Sequence, residues 1–206
     1  MSEAQQTQRW ISNYRMRLAL EIVEELLGRN GRTAVLRLAD LERYIHELPP
    51  ANDRMEIPRG DVTALFSGIA STYGDQGSRG VFRRWGHAFA ERQLQGIGLR
   101  LWRMRLRLFP AERRMPAALD RLLPAIGLVP EKQTARIEEQ DTHLLLKLSD
   151  TTYCYGQKQD QSSCLTIVGV IEYVLHWATG IDYTVYEEPS TEPGSVYFRI
   201  DKSPGA

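Results

Sequence analysis

The segment that most constrains the fold is residues 164–179. Within it the apolar side chains of Leu165, Val168, Ile171, Leu175 and Ala178 recur every three or four positions, the spacing that places side chains on one buried face of an α-helix. Gly180 follows at once, and glycine is the residue that most readily takes the left-handed conformation closing a helix. Beyond it, Tyr183 and Val185, then Tyr197 to Ile200, alternate as half-buried strands do, and Pro193-Gly194 between them predicts the turn.

The rest of the chain predicts helices first and strands later. In residues 5–27, Ile11, Tyr14, Leu18, Ile22 and Leu26 have helical spacing, which predicts an amphipathic helix stopped by Asn30-Gly31. A shorter periodic segment, 33–44, ends before Pro49-Pro50, and 51–60 reads as a loop. Asp61 is expected to cap a helix whose Val62, Leu65, Phe66, Ile69 and Tyr73 share a face. Residues 74–80 predict a break before a second bulky face of Val81, Phe82, Trp85, Ala88 and Phe89, with Gly86 permitting a close approach. Pro110, Pro116, Pro124 and Pro130 punctuate short helical turns, Pro116 opening one over 117–123. From there the period becomes two, predicting strands at 134–139 and 143–148 and a third at 151–155. Residues 1–8 and 202–206 read as disordered ends. This order implies an α+β domain, a helical layer packed on an antiparallel sheet, rather than a βαβ nucleotide fold.

Composition narrows the function classes. The chain has 206 residues and no formal net charge, yet residues 79–121 hold 11 Arg against 3 acids, while 122–206 hold 6 basic against 12 acidic residues. Inside the basic stretch, residues 99–109 interleave Arg100, Arg103, Arg105 and Arg107 with apolar side chains. That pattern is open to an anionic partner, or to arginine stems covering apolar surface with their heads in solvent. No helix-turn-helix, RNA-binding or zinc-finger pattern accompanies the charge, so nucleic acid is not an expected partner. Cys154 and Cys164 form no CxxC pattern, which argues for a reducing compartment and against a disulfide framework. Charged residues break the N-terminal stretch and the longest apolar run is too short to span a bilayer, so the expectation is a cytoplasmic protein.

Catalytic patterns are absent from the sequence. His46, His87, His143 and His176 have no metal-ligand spacing, and there is no GxSxG, HExxH or Walker-type loop. Gly96-Ile97-Gly98 lacks the third glycine and preceding strand of a dinucleotide site. His176 beside Trp177, and the Glu187-Glu188 pair, remain candidates for proton transfer or for plain solvated polarity.

The order Cys164, Gly169, Thr179-Gly180, Glu187-Glu188, Gly194 and Phe198-Arg199-Ile200 resembles the C-terminal signature of the 4-vinyl reductase domain family. Upstream, Tyr73-Gly74 and the run from Arg79 to Gly86 are similar to that family's tyrosine-glycine and helix segment. The resemblance covers roughly residues 60–200. It implies a TRAPP-like ligand-binding domain at 51–206, preceded by an N-terminal helical segment at 1–50 that could dimerise the chain, within one compact unit. It also implies a small hydrophobic or aromatic ligand. Relatives that sense aromatic compounds hold zinc through positions that are here Cys164, Glu187-Glu188, Pro189 and Tyr197. Since Pro189 and Tyr197 cannot serve as the soft ligands of a closed tetrahedron, no metal and no cofactor are expected.

Phe66, Tyr73, Phe82, Trp85, Phe89 and Trp102 are the candidate ligand-binding residues, with Trp85 and Phe89 in the segment similar to the family's pocket-lining helix. Plain core is the alternative for each. The leading expectation is a non-enzymatic sensor or carrier that encloses an apolar molecule and forms a homodimer. A tetrapyrrole vinyl-group reductase or its accessory protein, and a TRAPP-like interaction scaffold with a filled core, remain alternatives.

Overall fold

Ser12 sets where the first long helix begins. Its backbone is extended (φ −71°, ψ 150°) and its Oγ accepts from the Arg15 N–H at 3.3 Å, occupying one of the donors a helix start leaves unpaired. The computed structural model describes residues 10–127, 135–149, 164–189 and 195–204. They fall into two units, of which the first includes 10–85 and the second 86–127, 135–149, 164–189 and 195–204.

In the first unit, strand β1 (Trp10–Ser12) pairs antiparallel with β2 (Met55–Pro58), Ile11 opposite Ile57. The sequence places a helix on 5–27 and a loop on 51–60; the helix is present from Asn13 on, while 10–12 and 55–58 form a two-stranded ribbon instead. Helix α1 (Asn13–Leu38) starts at a buried Asn13, whose side-chain amide donates to Asn52 Oδ1 at 3.0 Å and Glu56 Oε2 at 2.6 Å. The helix does not stop at Asn30-Gly31. It kinks at Gly28 (φ 72°, ψ 171°), a conformation closed to residues with a side chain, and then runs on to Leu38. Leu18 and Ile22, the stripe expected to seek a partner chain, are buried within the protein. After the short helix α2 (Arg43–His46), α3 (Arg59–Gln93) begins, and it kinks at Gly74 (φ 67°, ψ 174°), within the predicted break. Its Gly68 lies against α1 so closely that a Cβ would stand 2.7 Å from the Val35 carbonyl.

The second unit holds the remainder of α3, then α4 (Ile97–Leu106), α5 (Ala111–Ala125), β3 (Arg136–Glu139), β4 (His143–Ser149), α6 (Leu165–Thr179), β5 (Tyr183–Glu188) and β6 (Ser195–Pro204). Pro116 lies inside α5 instead of opening a turn, because the helix starts earlier, at Ala111. The sheet is antiparallel in the order β3-β4-β6-β5. Leu144, Leu146 and Leu148 alternate onto its buried face, where Ile200 and Phe198 stand opposite Leu144 and Leu146. α6 packs on α5 and β5, and Gly180 ends it in the left-handed conformation (φ 78°), its N–H donating to the His176 carbonyl at 2.7 Å. Helices precede an antiparallel sheet, so the α+β class stands. Lys202 to Pro204 belong to β6, not to a disordered end. The expected strand at 151–155 and the Pro193-Gly194 turn lie outside the described residues.

Candidate functional site

The kink at Gly74 brings the two halves of α3 within the first unit against each other, and with them three of the six expected ligand-binding residues. Phe66 meets Phe82 edge-on at 5.8 Å between centroids and meets Trp85 edge-on at 5.2 Å, with ring planes at 73° and 83°. These are the geometries that ring quadrupoles favour. The Trp85 indole N–H donates to the Ala19 carbonyl of α1 at a long 3.4 Å. Trp85 is 1% exposed, and Phe66 and Phe82 are buried as well, so each ring is enclosed by protein atoms. Tyr73 is not part of this group: it is 39% exposed. Phe89 and Trp102 belong to the second unit, Phe89 buried on α3 and Trp102 half-buried on α4.

The same unit carries a polar cluster that sequence reasoning missed. Asp61, expected to cap α3, lies instead inside its first turn. Its Oδ2 accepts from the Tyr44 hydroxyl at 2.6 Å and pairs with Arg43. Burial, then the bond to Asp61, pushes the Tyr44 phenol up to about 12. The Arg43 guanidinium is likewise raised, first by its bond to Asp61. An acid directly after Gly60 reads as a cap because the cap signal is local, whereas Tyr44 is 17 positions away.

In the second unit the close approach expected at Gly86 is present. A Cβ there would stand 2.0 Å from the Thr166 carbonyl oxygen and 2.8 Å from the Val170 nitrogen, so α3 and α6 cross at backbone contact. Beside the crossing, His87 Nε2 lies 3.1 Å from Glu172 Oε2, and the His87 and Tyr173 rings are 6.0 Å apart. Burial, then Glu91, pushes the Tyr173 phenol up, with Arg103 opposing. Glu172 was visible in the sequence as one acid within an otherwise apolar helix.

The proton-transfer candidates have structural partners. His176 Nδ1 lies 2.8 Å from Asp182 at the exposed end of α6. Glu187 Oε2 accepts from the Cys164 N–H at 2.6 Å, tying β5 to the start of α6, and Glu188 pairs with Arg199 at 3.5 Å. Cys164 is disulfide-bonded, where the cysteine pattern argued against a disulfide; Cys154, the chain's other cysteine, lies outside the described residues. Among the described residues no three His, Cys, Asp or Glu side chains cluster as a metal site, and no helix is long and apolar enough to cross a membrane.

No family model matches this sequence, and no curated protein matches it. The solved structures do provide neighbours. A Cs H-NOX mutant carrying 4-cyano-L-phenylalanine matches with a TM-score of 0.60 and 13% identity, over 94% of this chain and 98% of that chain. An Fe(II) unliganded H-NOX mutant from K. algicida gives 0.57 and 11%, over 93% and 96%. A protein described for modulating heme redox potential through porphyrin distortion gives 0.51 and 11%, over 93% and 98%. This chain shares the H-NOX fold. At these identities the likeness reaches no further than the fold.

Whether that fold could hold a heme here depends on the axial ligand, which in proteins is His, Cys thiolate, Met or Tyr. None of the four histidines is buried: His46 and His176 are exposed and His87 and His143 partly so, and one ring nitrogen of His87, His143 and His176 is engaged. Cys164 is no thiolate, the buried Tyr44 is held protonated against Asp61, and the buried methionines Met16 and Met115 belong to the hydrophobic core. The described residues do not fit a histidine-ligated heme.

Proposed function

We propose that this chain is a non-catalytic regulatory binding domain on the H-NOX fold, taking a small apolar or aromatic molecule in place of heme. The observation that carries the reading is a likeness spanning nearly the whole chain combined with the absence of a buried imidazole among the described residues. Side-chain chemistry agrees with it. The buried cluster of Phe66, Phe82 and Trp85 supplies the flat, polarisable surfaces on which apolar ligands bind. Because the rings already pack on one another, a ligand reaching them must part them, and binding is then coupled to movement of Trp85.

A second reading follows from the same packing. If the rings stay closed, the domain is an interaction scaffold whose core is filled by its own side chains.

The test is to produce the protein in heme-supplemented cells and examine it by absorbance and native mass spectrometry. The expected result is no Soret band, together with a retained organic molecule or a melting temperature raised by flat aromatic compounds. Stoichiometric heme would refute the proposal. No retained molecule and no thermal shift across an aromatic panel would transfer the chain to the scaffold reading.

A further inference from the structure

Helix α4 and the turn after it present a surface at odds with ordinary helix amphipathicity. Leu101 is 59% exposed, Met104 67% and Leu108 85%, with Phe109 at 44%. Leu101 and Met104 are three positions apart on one helix face, and the turn continues that line to Leu108, whose N–H donates to the Arg105 carbonyl at 3.0 Å. Arginine stems do not cover these side chains. Arg103 lies over the Trp177 ring at 5.2 Å, while Arg100, Arg105 and Arg107 are exposed beside the apolar line. From Arg92 to Phe109 the sequence contains five arginines and no acid.

The turn is also held in place. The Arg114 guanidinium donates to the Phe109 carbonyl at 3.0 Å and to the Arg107 carbonyl at 3.1 Å, so Leu108 and Phe109 project from a braced corner.

We propose that α4 and this corner form a docking edge for an anionic phospholipid surface, with Leu101, Met104 and Leu108 entering the interface and Arg100, Arg105 and Arg107 meeting phosphate. The occupant follows from the combination of groups. A second copy of this face would bring like arginines together. Nucleic acid would offer phosphate to the arginines but nothing to three exposed aliphatic side chains. Protein hot spots favour Trp, Tyr and Arg, with Leu under-represented, whereas an aliphatic line rimmed by cations suits a headgroup and acyl boundary. The inference is independent of what the domain binds internally.

The full chain should co-sediment with vesicles of phosphatidylcholine and phosphatidylglycerol, but not with phosphatidylcholine alone, and added salt should weaken the binding. Arg105→Glu with Arg107→Glu should lower partition about tenfold or more. Met104→Gln with Leu108→Gln should lower it comparably at unchanged circular dichroism, since all four side chains are exposed. Equal partition onto neutral and anionic vesicles would overturn the proposal, as would wild-type partition by either double variant. Binding to neither vesicle would also overturn it and leave the face to an acidic protein surface.

Discussion

Replacing Trp85 with alanine separates a core tryptophan from a pocket wall. An indole enclosed on all sides buries about 150–250 Å², and at about 25 cal/mol per Å² its transfer is worth about 4–6 kcal/mol as an upper bound. Alanine retains part of that, while loss of the edge-on contact with Phe66 adds about 1 kcal/mol. The expected loss is therefore about 3–5 kcal/mol, a large share of the ordinary stability of a domain. Trp85→Phe keeps a ring and forfeits mainly the long bond to Ala19, so it should cost roughly 1–2 kcal/mol. Urea titration followed by far-UV circular dichroism reads both, and the two units can give separate transitions. If the vacated space stays dry, indole should restore part of the loss, as small aromatics do in engineered apolar cavities. A Trp85→Ala protein within about 1 kcal/mol of wild type would refute the reasoning, because an enclosed indole cannot be removed at so low a cost.

Gly86→Ala should cost at least about 1–3 kcal/mol, since a Cβ 2.0 Å from the Thr166 carbonyl forces two helix backbones apart; a chemical melt unchanged from wild type would show that the helices do not cross there. With the Tyr44 phenol at about 12 in the folded protein, stability should fall as pH rises from about 10, where the unfolded phenol ionises, through about 12. The loss should approach 2–3 kcal/mol, and alkaline denaturation of Tyr44→Phe should lack that component. Ser12→Ala should destabilise the start of α1 by about 1 kcal/mol, readable as faster amide exchange over its first turn.

Sequence signals were read well where the physics is local. The line from Leu165 to Ala178 and the stop at Gly180 depend on a helix period and a single backbone conformation, and both are present. β1 and β2 escaped because three- and four-residue strands have too few alternations to register, and their pairing joins Ile11 to Ile57 across the whole of α1. Asn30-Gly31 looks like a stop, yet the left-handed residue is Gly28 and the chain resumes a helix beyond it. Of the candidate site, spacing put Phe66 on one helix face and Phe82 and Trp85 on another, and it is the kink at Gly74 that makes them meet. Nothing local could tell that Tyr73 would be exposed. The alternation of arginine with Leu101, Met104 and Leu108 was legible, but which set turns outward depends on what packs beneath the helix.

The sheet order has a consequence for biosynthesis. β6 is hydrogen-bonded on one side to β4 and on the other to β5, although it follows both in the chain. While a ribosome is still adding residues 195–204, β4 and β5 have no shared neighbour and the leucines of β4 have no Phe198 or Ile200 opposite them. At about 5–20 residues per second that interval lasts from β4 until some 50–60 residues later, several seconds with an apolar face uncovered. The second unit must therefore acquire its sheet only once residues 195–204 have been made, and a ribosome stalled within β6 would leave a nascent chain that chaperones have reason to hold.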